Sequence, residues 1–407
     1  MLARARALAQ PEEARRRRGV LASSGVTHFL HDGFSDGIYL LLPMWQAEFG
    51  LSLAATGVLK SCYSGALAAC QVPAGLLAER FGERALLAIG TVVTGLGFMA
   101  LGFTGGFLGL ALTLIVAGAG SGTQHPLNAT VVAAAYPQRG RRAALGIYNF
   151  TGDLGKIAVP MAAALVIAAS DWRFATAAYG AIGIVVAGLA FVAMRALGAG
   201  DVLIAEERAA TRAARGGWGI TDRRGFGALA AIGVVDSAVR TGFLTFLPFL
   251  LQAKGADVAT IGLALGLAFA GGASGKFLCG VLAERAGILR TVIVTELVTA
   301  AGILLLLPVS LLAALAILPL LGAALNGTSS VLYASVAEFV AAERRSRGFG
   351  LFYTLGIGSS AVAPFVFGVI SDLASVTTAL VVVALLVTAT LPLTWLLRAP
   401  LASAAPS

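Results

Sequence analysis

His28, Asp32 and Asp36 follow one another at i, i+4 and i+8 within one apolar stretch. On an α-helix that spacing puts them on a single face over about 12 Å. A carboxyl removed from water holds a proton more readily, and an imidazole exchanges one near neutrality, so the ladder suits proton transfer. His31 lies to the side of that face, next to Asp32. His28, His31, Asp32 and Asp36 are therefore the candidate proton-coupling residues. The alternatives are that the ladder pairs with Lys60 or Arg240 and only holds helices together, or that it touches a substrate.

A second set is rich in bases. Asn149, Asp153 and Lys156 form a stripe at i, i+4 and i+7. Asp236 and Arg240 are an i, i+4 pair, and Lys276 has no acid within one turn of its own helix. His125 precedes Pro126 at an expected kink. A guanidinium fork suits a carboxylate or phosphate and an ammonium serves as a point charge, so these residues could bind an anionic group. The candidate substrate ligands are Asn149, Asp153, Lys156, Asp236, Arg240, Lys276 and His125. Asp153 with Lys156, and Asp236 with Arg240, could equally neutralise one another, and His125 could cap a carbonyl freed by Pro126.

The elements that carry these residues are membrane spans. Hydrophobic residues make up 58% of the 407 and charged residues 12%, with a mean hydropathy of +0.88. A soluble domain carries about twice that charge. Twelve apolar runs are expected at 21–47, 54–78, 86–103, 106–135, 143–168, 174–197, 225–251, 259–283, 290–308, 311–340, 348–371 and 376–397. Each is about 18 residues or longer, enough to cross the hydrocarbon core. Ionisable groups inside such spans cost several kcal/mol unless paired or wet, which is why they are functional candidates by default.

The net charge of +9 is a topology signal. With the N-terminus inside, the inner segments hold 23 Lys and Arg and the outer loops hold two, Arg173 and Lys254. By the positive-inside rule both termini are cytoplasmic, and no nucleic-acid partner is expected. Arg15 to Arg18 do not start a signal peptide, because the run beyond them is too long and contains His28, His31, Asp32 and Asp36. Cys62, Cys70 and Cys279 all lie inside expected spans and imply neither disulfide nor metal.

The chain is an internal repeat. Gly75-Leu-Leu-Ala-Glu79-Arg80-Phe-Gly82 returns 205 residues later as Gly280-Val-Leu-Ala-Glu284-Arg285-Ala-Gly287. Pro43 falls on Pro248 at the same offset, and Gly146, Gly152 and Pro160 fall on Gly350, Gly356 and Pro364 at 204. Fused halves of this kind build secondary carriers with a site between the repeats near the bilayer midplane. The expected organisation is a basic cytoplasmic segment 1–19, a six-helix bundle 20–197, a linker 198–223, a second bundle 224–398 and a tail 399–407. Segment 1–19 is expected to be disordered or to lie on the inner leaflet, the tail to be unstructured, and 201–215 to hold a short amphipathic helix.

Gly75-x-x-x-Glu79-Arg80-x-Gly82-x-Arg84 resembles the loop 2–3 signature of the major facilitator superfamily, over about residues 20–398. Glu79 stands where that family usually has Asp, and Glu83 where a basic residue is usual. The resemblance implies an all-α integral membrane protein of twelve helices in two pseudo-symmetric six-helix bundles. It also implies a cavity lined by spans 1, 4, 7 and 10, completed by 2, 5, 8 and 11, with 3, 6, 9 and 12 facing lipid. Glu296, in span 9, is then expected to be peripheral. Gly75, Glu79, Arg80, Gly82, Arg84, Gly280, Glu284 and Arg285 become conformational gating residues. Glu338, near Arg344 and Arg345, joins them as a gating pair.

A finer likeness, His28-Phe-Leu-His-Asp32-Gly with Gly120-Ser-Gly-Thr-Gln-His125-Pro126 and Phe150-Thr-Gly-Asp-Leu-Gly155, is to fosmidomycin-resistance-type exporters. Asn128 replaces the usual acid of that branch, Asp153 an uncharged amide, and Lys156 is unusual there. The exporters' substrate does not carry across; the repeat, the hinge, the Asp/His ladder and the intramembrane bases together point to alternating-access transport of a small anionic or zwitterionic organic solute across the cytoplasmic (inner) membrane, coupled to protons. Efflux by antiport is favoured. Import by symport or facilitation is the alternative, and a non-transporting sensor a lesser one. No enzyme activity, no cofactor beyond the coupling proton and no metal is expected. The expected partners are the bilayer and a small-molecule substrate, and the chain is expected to be a monomer. Walker and nucleophile-elbow motifs do not occur in the sequence.

Overall fold

The computed structural model describes the backbone of residues 2–201, 217–341 and 345–397, and the side chains of all these but 2–10, 138–139 and 345–346. The helix expected at 201–215, the tail 399–407, Arg344 and the side chain of Arg345 lie outside the described residues.

The first half comprises α1 (Leu2–Phe49), α2 (Leu53–Phe81), α3 (Glu83–Leu101), α4 (Phe107–Ser121), α5 (Gln124–Ala135), α6 (Gln138–Ala169) and α7 (Trp172–Ala196). The second comprises α8 (Arg223–Ala253), α9 (Val258–Ala286), α10 (Ile288–Leu306), α11 (Leu311–Ser335), α12 (Arg345–Leu373), α13 (Val376–Thr388) and α14 (Thr390–Leu396). Helices α4 and α5 together make the fourth span, and α13 and α14 the twelfth, giving twelve spans in two bundles of six. The break in span four falls at Gly122 and Thr123, just before the expected kink at His125-Pro126. Among the described residues, ten of these spans are long and apolar enough to cross a membrane. The other two, α1 and α2, carry the Ser, His, Asp and Lys residues that dilute their hydropathy.

Helix α1 starts far earlier than the apolar pattern suggests. Residues 2–19 continue the first span as helix, where disorder was one of the two expectations for this segment. Arg16 ties this extension to the end of α7, donating to the Leu197 and Gly198 carbonyls at 2.6 and 2.9 Å.

The repeat is written into the helix ends. Ser52 caps α2 and Asp257, 205 residues on, caps α9, each accepting from a backbone N–H three residues ahead. Gly82 (φ 80°) and Gly287 (φ 87°) each end one helix and begin the next in a conformation that suits glycine. Arg173 and Lys254, the two bases on the other side, are both used on helix C-termini. Arg173 donates to the Gly102 and Thr104 carbonyls, and Lys254 to those of Leu307 and Val309.

Packing distinguishes the two ends of the molecule. On the far side, opposite the chain termini, one continuous core joins the halves, with Phe34, Ile38, Trp45 and Leu59 packed in one cluster with Phe243, Leu247, Leu265 and Phe367. Nearer the termini each half has a separate cluster: Phe226, Leu229, Leu332 and Phe339 in the second, Val20, Leu87, Val131 and Met194 in the first. The glycines follow suit. A Cβ on Gly57 or Gly368 would strike the partner helix of the α2/α12 pair, and one on Gly262 or Gly266 that of the α6/α9 pair. On the terminal side a Cβ on Gly75, Gly146, Gly280 or Gly350 meets nothing within 4 Å. The halves are thus closed against each other on the far side and parted towards the termini.

Candidate functional site

Helix α6 approaches α1 closely because Gly155 lies against the Phe29 carbonyl and Gly152 against Asp32 and His28. That approach creates the central cluster. His28 Nδ1 donates to the Tyr148 carbonyl at 2.8 Å, and its ring stacks on Tyr148 at 4.1 Å between centroids. Nε2 is thereby left facing Asp32 Oδ1 at 3.5 Å. With Nδ1 committed as donor, a favourable contact at Nε2 needs a proton on the ring or on the carboxyl. His125, from α5, brings its Nε2 to 3.7 Å from the same oxygen. Lys156 sits on the other one, Oδ2, at 3.3 Å.

The ligand atoms of His28, Asp32 and His125 lie within 4.8 Å of one another. A divalent cation could use that spacing, but the Lys156 ammonium on the same carboxylate repels one.

From Asp32 the charges continue across the molecule. Lys156 Nζ is 3.9 Å from Asp153 Oδ1, and Lys276 of α9 donates to that same Oδ1 at 2.6 Å. The last contact joins the two halves. Asp153 is therefore not simply neutralised by Lys156; its shorter bond is to the opposite bundle. Asn149, one turn away on α6, is exposed and makes no hydrogen bond to the described residues.

Arg240 is half-buried on α8 and forms no ion pair or hydrogen bond among the described residues. Asp236, one turn before it, accepts instead from Ser329 of α11 at 2.6 Å. The charge of Arg240 reaches Asp36, Asp236, Lys156 and Tyr353 without contact. Asp36 likewise lies in the fields of Lys156, Lys60 and Arg240 without an ion pair. Lys60 is buried. It donates to the Ser35 carbonyl at 2.8 Å and lies over the Tyr39 ring at 4.3 Å.

His31 is not brought to this cluster. It is 2% exposed and points between α3 and α4, with Nε2 on Thr91 Oγ1 at 3.1 Å and Nδ1 on Ser121 Oγ at 3.0 Å. Thr91 donates to the Leu87 carbonyl and accepts from Gln124, so Nε2 of His31 is the donor to it. Asn128, in place of an acid, donates to Gln124 at 2.5 Å and Thr27 at 3.1 Å and extends the same neutral network.

Glu296 corrects the expectation of a lipid-facing residue. It is 2% exposed, with Oε1 lacking a partner among the described residues and Asp236 an acid whose charge reaches it.

On the terminal side, Arg84 pairs with Asp201 and donates to the Ala199 carbonyl at 3.2 Å. Arg80 lies over Phe81. Glu284, Arg285 and Glu338 are exposed and Glu79 is half-buried, without an ion pair among the described residues. Gly75 and Gly280 face open space rather than a packed turn. Gly82 and Gly287 are the positions where the chain turns.

Several contributors had no signal of their own in the sequence. Tyr148 acts through its carbonyl and ring face, and Ser329 is one serine among many. Asp372, on α12, accepts from the Leu53 and Ala54 amides of α2, both at 2.8 Å. It thereby links the halves on the far side.

The profile of the Major Facilitator Superfamily matches residues 25–235 and again 229–407. The "Probable sulfoacetate transporter SauU" of Cupriavidus necator is 28% identical over 264 residues, which span 61% of this chain and about 60% of that relative. The "Probable L-galactonate transporter" of Escherichia coli is 28% identical over 142 residues, 35% of this chain and 31% of its own length. In fold, the chain is similar to the inward-facing, unoccupied structure of a bacterial homologue of the human lysosomal transporter Spinster. The TM-score is 0.81 at 15% identity, over 96% of this chain and 99% of that one. The chain belongs to the Major Facilitator Superfamily.

Proposed function

We propose that this protein is a proton-coupled carrier of a small organic anion, working by alternating access across the cytoplasmic membrane with both termini inside. The observation that carries the reading is Arg240: a guanidinium at mid-span, half-buried and without an ion pair among the described residues. Leaving such a charge unpaired in a bundle costs several kcal/mol, which a bound carboxylate, sulfonate or phosphate offsets. The relatives' names, sulfoacetate and L-galactonate transporters, denote small organic anions and support this substrate class. The parted terminal side fits an inward-open state, in which the anion meets Arg240, Lys156 and Lys276 from the cytoplasm. Asp32, flanked by His28, His125 and Lys156, is the group that takes the coupling proton, because a proton there alters which partner Lys156 keeps.

The finer likeness to exporters favours efflux by antiport. The contact between Lys276 and Asp153 favours the second reading, proton symport, as argued below. The test is flux in liposomes carrying an internal pH dye, with sulfoacetate, sugar acids and phosphonates added in turn. Anion-dependent proton movement is expected, and it should vanish in Asp32→Asn while anion exchange continues. Proton-driven flux unchanged in Asp32→Asn removes Asp32 from the coupling role.

A further inference from the structure

The charges at the centre form a chain of alternating sign that crosses from one half to the other. Asp32 is 3.3 Å from Lys156, Lys156 is 3.9 Å from Asp153, and Asp153 is 2.6 Å from Lys276. Two carboxylates and two ammonium groups sum to zero, so the empty chain is neutral. Its ends differ in access: the Lys276 side chain is 37% exposed and that of Asp32 6%. An anion arriving from the cavity meets the Lys276 end.

We infer that anion and proton load the same state: an organic carboxylate or sulfonate that takes Lys276 from Asp153 makes the Asp32 cluster take up a proton. The inference rests on the anion-carrier reading above. Once Lys276 turns to the ligand, Asp153 has only Lys156, which lies within 4 Å of both acids. Lys156 then serves two carboxylates, and one of them must be neutralised. Among the described residues Asp153 pairs with Lys156 and Lys276 and has no imidazole in contact, whereas Asp32 has His28 and His125, so the proton settles there.

The groups facing Asp32 from each packed element leave no substitute counter-charge. They are His28, His31 and Asp36 on α1, His125 on α5, and Tyr148, Asp153 and Lys156 on α6. Tyr63 lies on α2, Tyr179 on α7, Lys276 on α9 and Tyr353 on α12. Among these described groups the lysines are Lys156 and Lys276, both already in the chain. Binding linkage is reciprocal, so if the anion recruits a proton, lowering the pH must tighten the anion. The limit for one proton is about tenfold per pH unit.

The experiment uses purified full-length protein in detergent, without a membrane gradient. Sulfoacetate is titrated by calorimetry at several pH values and, in weak buffer, against a pH indicator. Acetate and methanesulfonate serve as singly charged controls. Proton uptake with binding, and affinity that rises as pH falls, are expected. Asp153→Asn should bind the anion with uptake reduced by half or more, because Lys156 then has no second acid to serve. Binding with proton release, or with none, overturns the co-loading inference and leaves the anion-carrier reading standing. Failure of all three anions to bind at any pH overturns both. If Asp153→Asn does not fold, the sign of the wild-type proton change decides alone.

Discussion

Replacing Asp372 with alanine should open the far side of the molecule. In the structure its carboxylate oxygens accept from the Leu53 and Ala54 amides at 2.8 Å each, the first free N–H groups of α2. Ser52 caps only the next, Ala55, at 3.1 Å. A carboxylate so placed satisfies two orphan donors and opposes the positive end of the helix dipole. A cap contributes about 0.5–2 kcal/mol and the dipole about 0.3–1 kcal/mol at an exposed site. Because Asp372 is exposed, about 1–2 kcal/mol in total is reasonable. The whole of it belongs to the closed far side: when α2 and α12 part, both amides bond to water in either variant. Asp372→Ala should therefore shift the closed-to-open ratio by about 5- to 30-fold. The assay is a spin-label distance between Phe103 and Leu373, which are 81% and 82% exposed on opposite halves, with Cys62, Cys70 and Cys279 replaced. A distance distribution identical to that of the parent refutes the argument, since it would mean the apolar contact of α2 with α12 holds the far side by itself.

Three other outcomes follow from the geometry. Arg240→Ala should weaken anion binding by about 10- to 150-fold, from about 1.5–3 kcal/mol for bonds to a charged group, with thermal stability little changed; unchanged affinity in a binding assay makes Arg240 structural. Gly152→Ala places a Cβ 2.6 Å from Asp32 Oδ2 and should cost about 1–3 kcal/mol through overpacking, read as a lowered unfolding midpoint, and an unaltered midpoint means α6 can withdraw from α1 freely. At the far-side start of α9, hydrogen bonds from the side chain and backbone N–H of Thr260 hold the Asp257 carboxyl below its ordinary value of 3.8. Its contribution is therefore complete above that value and lost as pH falls through the lower folded one. Asp257→Asn should flatten this acid limb in a stability-against-pH profile, and an unchanged limb excludes Asp257 as its source.

The sequence by itself determined the class, the number of spans and the repeat. Apolar runs about 18 residues long, the two glycine-bounded hinges and the one-sided distribution of arginine are all local or periodic properties. The tertiary fold decided which charges meet. Spacing along one helix correctly groups His28 with Asp32, four residues apart. The same spacing sets His31, next to Asp32, to the side, because a single step along a helix rotates the side chain by about 100°, but it cannot tell that His31 meets Thr91 and Ser121. It leaves Asp236 as one possible partner of Arg240, and the family resemblance makes lipid the neighbour of Glu296. The fold instead gives Asp236 to Ser329 on α11 and buries Glu296 within reach of Asp236. The bond between Asp153 and Lys276 joins residues 123 apart, and that from Asp372 to α2 spans 319. Such pairs depend on how two bundles dock, and that is set by shape and apolar packing over many residues rather than by any pattern within a segment.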